Sequence, residues 1–174
     1  MDDMDHRILS ALLACGADPR VASAARGLSL AGEHGALWLA AGLAGAAVDG
    51  TRRGAWLRGT ALVAGAHLGS IGVKRVVRRA RPTHVWPLVR TAGRYSFPSS
   101  HATSAAAAAV AYGALGAPAV APLAAAMCLS RLVVGVHWPT DVAAGAALGA
   151  LVARAGARWV SGGAPDTPYP GRLT

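Results

Sequence analysis

Residues 102–129 read "ATSAAAAAVAYGALGAPAVAPLAAAMCL" and contain no charged side chain. About 20 apolar residues cover the hydrocarbon thickness of a bilayer. This run is long enough for two passes if the chain reverses at Gly116–Pro118, where Gly and Pro interrupt the helical pattern. The reading predicts two antiparallel helices, and it brings the ends of the run, His101 and Ser130, to one face. Ala and Gly dominate the stretch, and small residues let helices approach closely inside a membrane.

Further spans lie on either side. Residues 140–153 open another after Pro139, running toward Trp159. Upstream, 55–73 and 28–48 are apolar, the first broken by Arg58 and His67 and the second by Glu33 and His34. The expectation is an all-α, multi-pass helical bundle with about five crossing helices, in the cell membrane. Only 14% of the chain is charged, against about 25% for a soluble domain, so the composition agrees. The 174 residues suit one domain, assigned to 1–160. Within 1–27, Ile8, Leu9, Leu12 and Leu13 fall at helical spacing beside Asp5 and Arg7, which predicts an amphipathic helix lying at the interface. The acidic start argues against a cleaved signal peptide. Residues 161–174 are rich in Pro and Gly and are expected to be a disordered tail. Cys15 and Cys128 form no CxxC pair and read as small buried apolar residues.

The net charge is +9, from 17 Lys and Arg against 8 Asp and Glu, so anionic partners are expected. Basic residues are not interleaved with aromatic ones, which excludes nucleic acid as the partner. Membrane lipids and phosphates remain.

Three polar segments flank the spans. In "KRVVRRARP", Lys74 and Arg81 are two helical turns apart on one face, and Pro82 stops the helix. Arg75, Arg78 and Arg79 are assigned to lipid headgroups. In "FPSSHATS", Ser99 or Ser100 caps the next helix, whose first N–H groups offer an anion site beside His101. In "SRLVVGVHWPTD", Arg131 ends one helix and His137 precedes another. Asp141, in the first turn after Pro139, can accept an imidazole N–H and fix the tautomer. The alternating passes bring all three segments to one face, where three cations match the oxygens of a phosphate.

Lys74-x6-Arg81-Pro82, Pro98-Ser99-Ser100-His101 and Ser130-Arg131-x5-His137-x3-Asp141 together resemble the three signature motifs of the type 2 phosphatidic acid phosphatase (PAP2) family. That family shares its pocket with vanadium haloperoxidases. Ser100 stands where the middle motif usually has Gly. More loosely, the chain's small size and "GLSLAGEHGALW" (27–38) resemble the decaprenylphosphoryl-5-phosphoribose phosphatases. The resemblance implies hydrolysis of a lipid phosphate through a phosphohistidine. His137 would be the nucleophile, Asp141 its orienting carboxylate and His101 the acid and base. Lys74, Arg81 and Arg131 would hold the phosphate, with N–H groups near Ser99 and Ser100, and Glu33 would meet the headgroup. No cofactor is implied. His101, His137 and Asp141 are metal-ligating types, but three adjacent cations repel a metal. Expected substrates are polyprenyl-linked phosphates, with undecaprenyl diphosphate, phosphatidylglycerophosphate and phosphatidate as alternatives. A vanadate-dependent haloperoxidase and a non-catalytic lipid-binding protein are the rivals from other classes.

Overall fold

The structure is a computed structural model, which describes residues 3–83, 85–91 and 93–162. Most of the tail, 163–174, lies outside them. The described residues form eight α-helices and one isolated bridge, Ala80 to Tyr95.

The N-terminal part departs from the expected interfacial helix. Two helices form, α1 (Asp3–Cys15) and α2 (Pro19–Ala31), bent by 111°. Asp18 causes the break: its carboxylate accepts the N–H groups of Arg20 and Val21, and Pro19 starts the new helix. Helix α1 is docked on protein, since Leu9 is fully buried among Leu132, Trp138 and Val142. Asp5, expected on a wet polar face, is also buried. Cys15 is exposed and Cys128 half-buried, so the buried reading fails at Cys15.

The apolar run 28–48 is likewise not one helix. Helix α2 stops at Ala31, a tight turn occupies Glu33–Gly35, and α3 spans Ala36–Val48. His34 and Gly35 adopt φ of 53° and 75°, left-handed conformations that end a right-handed helix. Glu33 therefore sits in a turn, not inside an apolar span.

Helix α4 (Arg53–Val77) follows a turn held by Asp49, which accepts the Arg52 N–H and the Trp56 indole N–H. Helix α5 covers Ser100–Gly113, α6 Val120–Val133, α7 Pro139–Ala155 and α8 Ala157–Val160. The reversal between α5 and α6 falls where the sequence places it, with Gly116 at φ 84°.

Helix α5 is the central rod, packed by α4, α6 and α7. Ala102, Ala105, Ala107, Ala108 and Ala111 are all buried, so its neighbours lie almost on its backbone. Helix α7 exploits this with Gly145 and Gly149, whose Cα atoms rest against the carbonyls of Ser99 and Thr103. Tyr112 ties α3 to α5 by donating to the Trp38 carbonyl at 3.0 Å.

No single helix among the described residues is both long and apolar enough to cross a membrane. Only the bent pair Met4–Cys15 and Pro19–Ala31 meets that test jointly, by length and composition.

Candidate active site

The ends of α4 and α6 and the starts of α5 and α7 meet at one end of the bundle. Beside them lies a cavity of about 840 Å³. Its lining includes Lys74, Arg81, Ser100, His101, Arg131 and His137. His137 and Arg131 are almost fully buried and form its floor, while Arg26, Glu33, Arg75 and Arg94 are exposed at its mouth.

His137 lies in the short link between α6 and α7. Its Nδ1 faces Asp141 Oδ2 at 3.5 Å and has no hydrogen-bond partner among the described residues. Its Nε2 is 3.4 Å from Arg81 Nη1. A guanidinium can only donate, so this contact requires a lone pair on Nε2 and the ring proton on Nδ1, toward Asp141. Burial pushes the imidazole down to about 3, against the opposing pull of Asp141, with Arg81, Arg131 and Lys74 also lowering it. The ring is therefore neutral at physiological pH, with the lone pair on Nε2.

Asp141 is fully buried in the first turn of α7. Its Oδ2 also accepts the Trp138 N–H at 2.8 Å, and Oδ1 accepts from Arg79 Nη1 at 2.9 Å. Arg79 thus does not go to headgroups. The chain reverses after α4, at Arg78 with φ 53°, and this turns Arg79 inward.

The three expected cations are held by carbonyls and one hydroxyl. Lys74 donates to the carbonyls of Ser96, at 3.0 Å, and Pro98. Arg81 donates to Gly93 at 2.9 Å and Val136 at 2.7 Å. Burial lowers the Arg81 guanidinium from its ordinary value, with Asp141 opposing. Arg131 donates to the Ser29 hydroxyl, and its buried Nε has no partner among the described residues. Among those residues, each cation is oriented without a direct ion pair.

His101 lies in the first turn of α5, with Nε2 3.1 Å from the Ser29 carbonyl. That acceptor fixes a proton on Nε2 and leaves the lone pair on Nδ1. The two serines divide their roles. Ser100 lines the cavity, and its hydroxyl pairs with Ser70 Oγ at 2.7 Å. Ser99 is buried off the cavity: its hydroxyl caps Ala102 N–H and its own N–H donates to the Asp141 carbonyl at 2.9 Å. Ser99 therefore joins α5 to α7 and is not among the residues that line the cavity. Among the described residues, no group of three His, Cys, Asp or Glu could hold a metal ion.

Sequence reasoning missed Ser29, Ser70, Arg79 and Asp5 as parts of this assembly. Ser29 carried no signal, because its value lies in the angle at which α2 crosses α6. Arg79 was visible only as one cation in a basic run.

Histidines and cations line one cavity at the end of an all-helical bundle, with the Asp141 carboxylate behind His137. Residues 54–163 match the PAP2 superfamily, and the chain belongs to that family. A decaprenylphosphoryl-5-phosphoribose phosphatase from Mycolicibacterium smegmatis is 49% identical over 130 residues, covering 73% of this chain and 72% of the relative. The protein of the same name from Mycobacterium tuberculosis is 47% identical over 137 residues, 77% of each chain. The solved transmembrane PAP2-type phosphatidylglycerolphosphate phosphatase of Bacillus subtilis superposes with a TM-score of 0.50 at 20% identity, covering 93% of this chain and 77% of that one. This likeness supports the fold. The chain is a phosphatase, a hydrolase of phosphoric esters.

Proposed function

We propose that this protein is a membrane-embedded, metal-independent phosphatase that removes phosphate from a polyprenyl-linked phosphosugar through a phosphohistidine. The observation that carries the reading is the His137 ring, set between Asp141 on Nδ1 and Arg81 on Nε2 at the cavity floor.

Phosphate bound by Arg81, Lys74 and Arg131 would place phosphorus before Nε2. The Nε2 lone pair forms the N–P bond while the bond from phosphorus to the leaving oxygen breaks. Burial and the neighbouring cations keep His101 neutral, with its proton on Nε2 toward the Ser29 carbonyl; its Nδ1 takes a proton from the incoming monoanionic phosphate and passes it to the leaving oxygen. Asp141 stabilises the positive charge on the phosphorylated His137 ring. Water then attacks phosphorus and gives a proton to His101. The N–P bond breaks, and neutral His137 and inorganic phosphate result. The three cations meet the charge spreading over the equatorial oxygens.

The relatives' names support the substrate class. So does the cavity mouth, where Arg26, Arg75 and Arg94 offer charge to a second phosphate and Glu33 offers acceptors to sugar hydroxyls. Here Arg75 serves the substrate, not bulk headgroups. In this reading α3 to α7 are the five crossing helices. Outward-facing Leu43, Leu57, Leu68, Leu123, Leu129 and Leu151 are exposed, as lipid contacts require. Helices α5 and α6, of 14 residues each, rise only about 21 Å. A locally thinned bilayer accommodates that length. The prenyl chain stays in hydrocarbon, and each CH₂ kept from water contributes about 0.8 kcal/mol.

The test is phosphate release by the purified full-length protein from decaprenylphosphoryl-5-phosphoribose, undecaprenyl diphosphate, phosphatidylglycerophosphate, phosphatidate and a short soluble ester. The first is expected to give the highest kcat/KM, and His137→Ala to abolish turnover. A preference for phosphatidate refutes the phosphosugar assignment. Equal rates on the soluble ester refute the lipid assignment, and activity of His137→Ala refutes the nucleophile.

A further inference from the structure

Asp5 sits near the start of the described chain, far in sequence from every signature motif, yet it is buried against the catalytic end of α7. Its Oδ1 accepts the Thr140 N–H at 3.1 Å, and its Oδ2 accepts the Thr140 hydroxyl at 2.7 Å. The same Oδ2 accepts from Arg79 Nη2 at 2.8 Å. The other arm of that guanidinium, Nη1, donates to Asp141 Oδ1 at 2.9 Å and to Thr140 Oγ1 at 2.6 Å. Arg79 itself is fixed by its backbone, since its carbonyl accepts the Ser96 N–H at 2.8 Å. Its guanidinium lies 5.6 Å above the Trp138 ring. One cation is thus forked between two carboxylates, and one of them faces His137.

The charge balance gives this fork a role. A carboxylate paired alone with an arginine gives up much of its field to that partner, and Asp141 would have less left to stabilise a cationic imidazole. A second carboxylate on the same guanidinium returns that field. Asp5 also grips both polar groups of Thr140, the residue before Asp141, and so fixes the turn from which Asp141 projects. Burial raises the Asp5 carboxyl, but hydrogen bonds from Thr140 and Arg79 outweigh it and hold the group below its usual value. It is ionised at neutral pH, as the fork requires.

We infer that Asp5 is a positioning residue for the hydrolytic step: through Arg79 and Thr140 it holds the Asp141 carboxylate in place and leaves its charge available to His137. The N-terminal helix α1 is then a working part of the site. The inference rests on the roles proposed for His137 and Asp141.

The experiment compares steady-state kinetics of full-length wild type, Asp5→Asn and Arg79→Lys on the lipid phosphate with highest turnover, with His137→Ala alongside. Asp5→Asn is expected to lower kcat about tenfold, within the range carried by coupled neighbours, with KM held within about twofold because Asp5 touches no substrate. Arg79→Lys keeps the charge but loses the fork, and lowers kcat in the same way. The double variant is no worse than the poorer single. Unchanged kcat in folded Asp5→Asn overturns the inference, and so does a rise in KM at constant kcat. If Asp5→Asn does not fold, Arg79→Lys decides by the same two criteria. Activity in His137→Ala overturns instead the reading of the site on which the inference depends.

Discussion

Gly149→Ala tests whether the approach of α7 to α5 sets the catalytic geometry. A methyl group at this position would lie 2.0 Å from the Thr103 carbonyl oxygen and 3.0 Å from the Ala107 nitrogen. Those atoms belong to a helical backbone and cannot rotate away. Restoring a carbon–oxygen distance of about 3.3 Å forces the two helices apart by roughly 1.3 Å. Overpacking of this kind costs about 1–3 kcal/mol, which lowers Tm by about 2–12 °C in a chain of this size. The larger effect falls on catalysis. His137 and Asp141 ride at the start of α7, and His101 at the start of α5. A displacement near 1 Å between reacting groups lowers the rate about 100-fold. The assay is phosphate release in detergent micelles beside a thermal melt. Gly65→Ala is the control, because nothing lies within 4 Å of its added carbon and alanine favours a helix over glycine. A Gly149→Ala protein with wild-type kcat and Tm would refute the claim that this contact positions the site.

Turnover is expected to persist in EDTA without recovery on adding Mg²⁺, because three cations already supply the charge, and vanadate is expected to inhibit as a five-coordinate phosphate mimic; loss in EDTA with rescue by Mg²⁺ would contradict this. Stability in detergent is expected to fall as pH drops from 7 toward 4. Unfolded His137 takes a proton at its ordinary value of 6.5, whereas the buried ring resists until about 3, so the unfolded state binds more protons across that window. His137→Gln, measured by equilibrium unfolding, should flatten that slope, and an unchanged slope would locate the effect elsewhere.

The juxtaposition of the residues proposed for catalysis was legible because their chemistry is local. Lys74 and Arg81 share a helix face, and His137 and Asp141 straddle a helix start, so spacing alone nearly places them. The reversal at Gly116 was legible for the same reason, since Gly and Pro act on their own backbone. What escaped depends on where the chain goes next. Arg75 and Arg79 look alike in a basic run, but only Arg79 lies past the left-handed Arg78 that turns the chain toward α7. Glu33 read as a blemish in a span because hydropathy averages over the backbone break at His34 and Gly35. Asp5 read as solvent-facing because its partners are 74 and 135 residues away. Ser99 and Ser100 were interchangeable as caps until α7 took up the N–H of Ser99.

The Asp5–Thr140 contact also bears on the order of synthesis. A ribosome delivers α1 first, and its buried carboxylate must wait for α7 before it meets a partner. Arg79 emerges midway, and its partner Asp141 follows later. No N-terminal fragment that stops short of Asp141 contains the proposed nucleophile, His137, together with its carboxylate. The growing chain therefore carries Lys74, Arg81 and Arg131 before Asp141 is made, and α7 packs on α5 and meets the first helix only after that. Contacts of such long range are slow to form, so Asp5 and Thr140, 135 residues apart, are expected among the late contacts of folding.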